Sequence, residues 1–358
     1  MMMRFVTKIF PVKLIKQKSN IILLLLSLLF CIAIFLLYDF YRSYSLIKLI
    51  RLGTINSEIN NVHMQDNRLG WKLKPNSTGK HSLKGNFNVT YTIDQDGFRK
   101  INGNTEHSDF SIYFFGDSFT FGVGVNNDDT FPNIIKEKYL ENRINVYNTA
   151  VMGYGLVQMF ELFSQIEGRI KKGDLVIFAP ISHDILRNVK DFVFPHFLIL
   201  TNIVPIGSFP SYDNVVIRYH KIENNFYTKL KLLILNAPFT GHLWYGIYRK
   251  FIPDTTEEAM DMIKIIKYKT EEKGGKFILF FLPHPNECLQ GKYLINVSHF
   301  DYLDIMHYFP SQKEAIDKIK FKDDDHWSVY GHEIAARAIV ETLIGQKIIH
   351  EKYLKTKL

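Results

Sequence analysis

The chain has 358 residues, 46% of them hydrophobic and 14% aromatic, ample for a large core and incompatible with a disordered tail. Five of its eight net positive charges, Arg4, Lys8, Lys13, Lys16 and Lys18, precede residue 20 with no acidic neighbour, and the three that remain give no basis for nucleic-acid binding. Cys31 and Cys288 are the two cysteines, the first inside an apolar run, so neither a disulfide framework nor a cysteine-based zinc site is available.

After the basic flank, residues 1–20, comes "IILLLLSLLFCIAIFLLY", Ile21 to Tyr38, eighteen residues without a charge. As a helix it spans about 27 Å, so it is predicted to cross a membrane. The cationic side should stay in the cytoplasm, which puts the rest of the chain outside. A cleaved signal peptide is the rival reading. No small-x-small site follows the run, its apolar length exceeds a usual signal core, and Cys31 lacks the small residues of a lipoprotein site.

Residues 39–64 read as a helix and linker. "DNRLGWKLKPN" (66–76) and "VTYTIDQDGFR" (89–99) read as short extended segments with turn chemistry, the core of a small β-rich preface over residues 65–108. From 109 to about 350 the pattern is an alternation. "SIYFF" (111–115), "INVYN" (144–148), "LVIFAP" (175–180) and "KFILFFLP" (276–283) are apolar runs of the kind buried on both faces of a sheet. Helical patterns cover Thr130 to Leu140, Val157 to Arg169, Thr255 to Lys273 and Val329 to Ile344. This is the signature of an α/β domain with a parallel sheet and helices on both faces, and ligands of such sheets bind beyond the carboxyl ends of the strands. Ser118, Gly153, His183 and His284 follow the four predicted strands, and "DDDH" (323–326) follows a short, partly apolar segment at 316–321. All are expected at one edge.

Ser118 lies in "FFGDSFTFGVGV" (114–125), which alone could be a polar turn. It is not a phosphate loop, having no Gly-Lys-Ser/Thr, nor an α/β-hydrolase elbow, since Thr120 stands where the second glycine belongs. A serine hydroxyl becomes a nucleophile only when a base takes its proton. His326 is the best base in the chain because Asp324 or Asp323 can hold its second nitrogen from the same loop, whereas the adjacent Asp325 tends to point elsewhere. "DDDH" as a metal site lacks a second histidine or acidic cluster in a compatible motif. Asp117 reads as a brace for the turn, and His284 as a loop residue.

"FFGDSFTFG", "YNTAVMGYG" and "DDDHWSVYGHEIAARAI" resemble the GDSL-type blocks of the SGNH hydrolase superfamily, over about residues 65 to 345. The resemblance implies a three-layer α/β/α sandwich with Ser118 as nucleophile, His326 as base and the amides of Ser118 and Gly153 as oxyanion donors. The "LGWKLKPN" and "GFR" segments are similar to bacterial cell-envelope polysaccharide relatives. Some of these, the alginate acetyltransferases among them, carry the acid two residues before a His-Trp pair, which favours Asp324 over Asp323. One block departs from the pattern. "PISHDILRN" has His183 where the superfamily's asparagine donates to the oxyanion; a neutral imidazole offers one such bond.

Residues from about 189 to 250 interrupt the alternation as an insertion. Its first half reads as a hairpin, its second as an amphipathic helix with Trp244, Tyr245 and Tyr248, which pack on the domain or form a lid over a sugar or acyl chain. The reading that follows is a single-pass extracytoplasmic serine esterase or O-acyltransferase of the bacterial inner membrane and periplasm, without a cofactor. Its substrate would be an acylated carbohydrate or other envelope ester, its partners polysaccharide-modification proteins. The alternative is a catalytically weak binding or assembly component on the same fold.

Overall fold

The computed structural model describes residues 22–41, 59–66, 68–186, 203–207, 217–221 and 256–355. They fall into two units, each taken by itself. The first contributes one helix, α1 (Ile22–Tyr41), twenty residues of mean hydropathy 2.7. At about 30 Å it is long and apolar enough to cross a bilayer, and it ends at Tyr41 rather than Tyr38. The basic flank and most of the linker lie outside the described residues.

The second unit opens with two antiparallel hairpins, β1 (His63–Asp66) with β2 (Gly70–Leu73), and β3 (Thr78–Leu83) with β4 (Phe87–Thr92). Parts of the two segments expected to be extended are turns instead, and aspartate side chains make them. Asp66 Oδ1 accepts from the amides of Arg68 and Leu69, and Asp94 Oδ1 from those of Asp96 and Phe98.

The central sheet has four parallel strands, β5 (Phe110–Gly116), β6 (Ile144–Asn148), β7 (Leu175–Ala179) and β10 (Lys276–Leu279), in the spatial order β10-β7-β5-β6. Alternate side chains of each strand enter different cores. Tyr113, Phe115, Val176, Phe178, Phe277 and Leu279 meet one face, together with α4 (Leu156–Ile166), α6 (Thr256–Glu272) and the hairpins. Ile112, Phe114, Leu175, Ile177 and Ile278 meet the other, with α3 (Phe131–Ile134), α8 (Lys313–Ile319) and α9 (Val329–Gly345). This is a three-layer α/β/α sandwich. Each buried large apolar side chain contributes about 1.5–3 kcal/mol, and a one-residue slip would exchange the two cores, so the register is strongly specified.

Two expected elements differ from those observed. The helix expected over 130–140 is α3 followed by a π turn, Ile135–Tyr139, whose Lys136 is buried and donates from Nζ to the carbonyls of Asn142 and Ile144. The strand expected over 276–283 is regular only to Leu279; Phe280 N and Leu282 N still donate to Phe178 O and Pro180 O, but Pro180 has no N–H to return a bond and the ladder ends. The partly apolar segment at 316–321 contains the end of α8. Ile316 and Ile319 share one helical face and are buried in the core, and "DDDH" sits in a loop closed by an isolated bridge between Lys320 and Trp327.

The hairpin expected in the insertion is the antiparallel pair β8 (Ile203–Gly207) and β9 (Ile217–Lys221). The helix expected to carry Trp244, Tyr245 and Tyr248 falls on residues outside the described ones.

Candidate active site

Strand β5 is where the sheet's order reverses, since β6 lies on one side of it and β7 on the other. Ligand clefts of doubly wound sheets form at such a point. Ser118 stands there. Gly116 ends β5 with no room for a side chain, a Cβ falling 2.2 Å from Thr120 Oγ1 and 2.9 Å from the Ala179 carbonyl. The chain then turns at Asp117, whose Oδ1 caps the short helix α2 (Ser118–Phe121) by accepting from the Phe119 amide at 2.9 Å. Thr120 Oγ1 ties α2 to β7 through a 3.0 Å bond to Ala179 O.

His326 reaches Ser118 from the loop before α9. Its Nε2 is 2.7 Å from Ser118 Oγ, and its Nδ1 is 2.5 Å from Asp324 Oδ1, which also accepts from the His326 amide at 2.8 Å. A carboxylate only accepts, so the ring proton of neutral His326 sits on Nδ1 and leaves Nε2 free to accept from the serine hydroxyl. Burial opposes the charge on Asp324, but the bonds from the His326 ring and amide and the nearby His81 outweigh it and hold the carboxyl at about 2. It stays ionised throughout the physiological range.

The three consecutive aspartates part company. Asp323 pairs with Asn86 at the tip of the β3–β4 hairpin, its Oδ2 accepting from Asn86 Nδ2 at 3.0 Å while its amide donates to Asn86 Oδ1 at 2.9 Å. Asp325 binds Lys320 Nζ at 2.6 Å. Of the three, Asp324 is the one bonded to the imidazole.

Gly153 has φ +79°, a left-handed conformation that a side chain would strain. No hydrogen bond among the described residues uses its amide or that of Ser118. Its loop is anchored on both sides: Val151 N donates to Gly116 O at 3.3 Å, and Trp71 Nε1 of the preface donates to Met152 O at 3.0 Å. Tyr154 Oη donates back to Trp71 O at 2.6 Å. His183 lies on α5 (Ser182–Leu186), its ring centroid 5.6 Å from that of His284. Phe119 touches both His284 and His326, at 5.7 and 5.1 Å between centroids, and packs edge-on against Trp327.

Several residues here were given no role by the sequence. Asn148 bridges the two loops, donating from Nδ2 to Thr120 O at 2.9 Å and accepting from the Ala150 amide at 3.2 Å. Arg99 is fully buried between the rings of Tyr91 and Phe121 and donates to the carbonyls of Phe121, Gly122 and Val125 and to Asn127 Oδ1. Burial lowers its pKa to about 10, so it remains charged. Its bonds fix the loop that leaves α2. Tyr91, its phenol pushed up by burial, accepts from Gly124 N at 2.9 Å and lies 2.7 Å from His81 Nδ1. The quoted "GFR" thus had a structural meaning that its spacing could not display.

This chain is similar to lipolytic proteins of the G-D-S-L type. A member of that family from Veillonella parvula DSM 2008 is 12% identical, with a TM-score of 0.36 and 65% of this chain and 97% of that one covered. A lipase/acylhydrolase from Enterococcus faecalis is 13% identical, with a TM-score of 0.35 and coverage of 69% and 98%. No protein-family profile matches the sequence, and no curated protein does. Likenesses so distant leave the chemistry to be read from the chain's own residues.

Proposed function

We propose that the chain is a membrane-anchored, extracytoplasmic serine esterase or O-acyltransferase acting on acyl esters of carbohydrate or another envelope component. One observation carries this reading, the continuous chain of bonds from Asp324 through His326 to Ser118 Oγ. The cationic flank before α1 supports a cytoplasmic amino terminus, and hence an outward-facing, periplasmic domain.

In the proposed reaction Ser118 Oγ attacks the acyl carbonyl as His326 Nε2 takes the hydroxyl proton, and ionised Asp324 stabilises the imidazolium that results. The amides of Ser118 and Gly153 receive the developing oxyanion. His326 then protonates the leaving alcohol, and an acyl-serine remains. Water or a sugar hydroxyl, deprotonated in turn by His326, accepts the acyl group. Hydrolysis and transfer share every residue named, and differ in which acceptor reaches the acyl-serine.

A fluorophosphonate probe tests the reading on the full chain in detergent. Labelling that disappears in Ser118→Ala supports it. A chain that ignores the probe while binding envelope polysaccharide equally well with and without Ser118 would be a binding component, the reading that His183 in place of asparagine favours. Release of acetate from an acetyl donor, followed with and without deacetylated glycan, separates esterase from transferase.

A further inference from the structure

His284 plays no part in the reaction above, yet its surroundings prepare it for one. It is the N-cap of α7 (Pro285–Gln290), where its Nδ1 accepts from the Asn286 amide at 3.2 Å and its own amide donates to Glu287 Oε2 at 2.9 Å. An Nδ1 engaged as an acceptor carries no proton, so the ring hydrogen of neutral His284 is on Nε2. The cap thus fixes the tautomer from the side away from Nε2. Among the described residues, nothing accepts from that Nε2–H. Burial and then the neighbouring His183 depress the pKa to about 4, so the ring stays an uncharged donor at neutral pH.

The position fits the same use. His284 follows β10 beyond the carboxyl end of the sheet, partly buried, in ring contact with Phe119, the residue next to Ser118, and with His183. The asparagine expected in the "PISHDILRN" block is missing, and the ring contact between His183 and His284 puts a second imidazole beside the vacated role.

We infer that His284 is a further catalytic residue, whose Nε2–H donates to the oxygen of the acyl group as Ser118 attacks it. This rests on the serine-acyl reading above. As the Ser118 Oγ–carbon bond forms, the carbonyl π pair moves onto oxygen. His284 shares its proton with that oxygen without releasing it, and collapse of the intermediate returns the pair as the leaving alcohol departs. The substrate feature it recognises is the ester carbonyl, whatever the sugar.

The test separates capping from donation by reach. Asparagine at 284 keeps an acceptor where Nδ1 stands and so keeps the cap, but its amide falls short of Nε2; glutamine carries its NH2 close to the Nε2 position. The full chain and its His284→Ala, His284→Asn and His284→Gln variants are compared in detergent by rate of fluorophosphonate labelling, by kcat and KM on 4-nitrophenyl acetate, and by Tm. Expected for Ala and Asn is a fall of about 10²- to 10³-fold in kcat with KM within about threefold, and for Gln a recovery of at least tenfold over Asn. His284→Asn as active as the unaltered chain overturns the inference, reducing His284 to a cap. So does a Gln variant no faster than Asn, or losses that follow Tm. Absence of labelling in the unaltered chain itself defeats the serine reading and the inference with it, whereas a reactive chain with a normal Asn variant defeats the inference alone.

Discussion

Replacing Asp324 by asparagine exchanges one carboxylate oxygen for an NH2 group and should silence Ser118. Asp324 Oδ1 now takes two N–H bonds, from the His326 amide and from Nδ1. An asparagine oxygen set in its place keeps both, but it is uncharged, so the imidazolium formed when His326 takes the serine proton loses its counter-charge. Turned the other way, its NH2 group faces Nδ1 as a donor, drives the ring proton to Nε2, and leaves a donor facing the serine where an acceptor is needed. In serine hydrolases of this logic the wrong tautomer costs about 10⁴ in kcat, or about 5 kcal/mol of barrier at 1.36 kcal/mol per tenfold. The assay is the rate of fluorophosphonate labelling beside the steady-state hydrolysis of 4-nitrophenyl acetate, with Tm as a check on folding. Asp323→Asn provides the contrast. Asp323 is exposed and its partner is the tip residue Asn86; an exposed bond of this kind is worth about 1 kcal/mol or less, so labelling should stay within about threefold of the original. An Asp324→Asn chain within tenfold of the original, or a larger loss at Asp323, would refute the tautomer argument.

Acid should expose the same carboxylate as a stabilising group. Its pKa is about 2 in the folded chain against 3.8 ordinarily, so the contribution is complete above pH 4 and lost as pH falls toward 2. It amounts to about 2 kcal/mol, and the Tm of the original chain should drop more between pH 5 and pH 3 than that of Asp324→Asn. Arg99→Lys should cost about 3 kcal/mol or more, read by urea unfolding, because one ammonium cannot serve three carbonyls and Asn127 Oδ1 at once. Trp71→Phe keeps the apolar body but strands the Met152 carbonyl; it should cost about 1–3 kcal/mol and slow labelling of Ser118 through the loosened Gly153 loop.

The strands of the main sheet were readable because both faces are covered, which makes each strand a continuous apolar run. Ser118 and His326 were readable for another reason, since a serine after such a run and a histidine behind carboxylates are unusual locally. What separates Asp323 from Asp324 is not local at all. Asn86 lies 237 residues from Asp323, and no spacing rule anticipates it. The segment at 316–321 was left without an assigned element because Ile316 and Ile319 fit a helical face as well as a buried strand end, and so short a run offers no length to arbitrate. Arg99, Asn148 and Trp71 lie in segments that carry the resemblance, but their roles were hidden because their bonds go largely to backbone carbonyls, which every residue has.

Those bonds to carbonyls bear on how the protein is handled at the bench. A shortened gene beginning near Asp109, the natural place to cut if the hairpins were a dispensable leader, would delete the indole under Met152 and the guanidinium under Gly122 while uncovering the apolar surface that Tyr91 and Val89 now shield. Such a fragment would aggregate or fold without a working centre, and its silence in an assay would say nothing about the full chain. Expression clones meant for crystallisation or kinetics should start upstream of Val62.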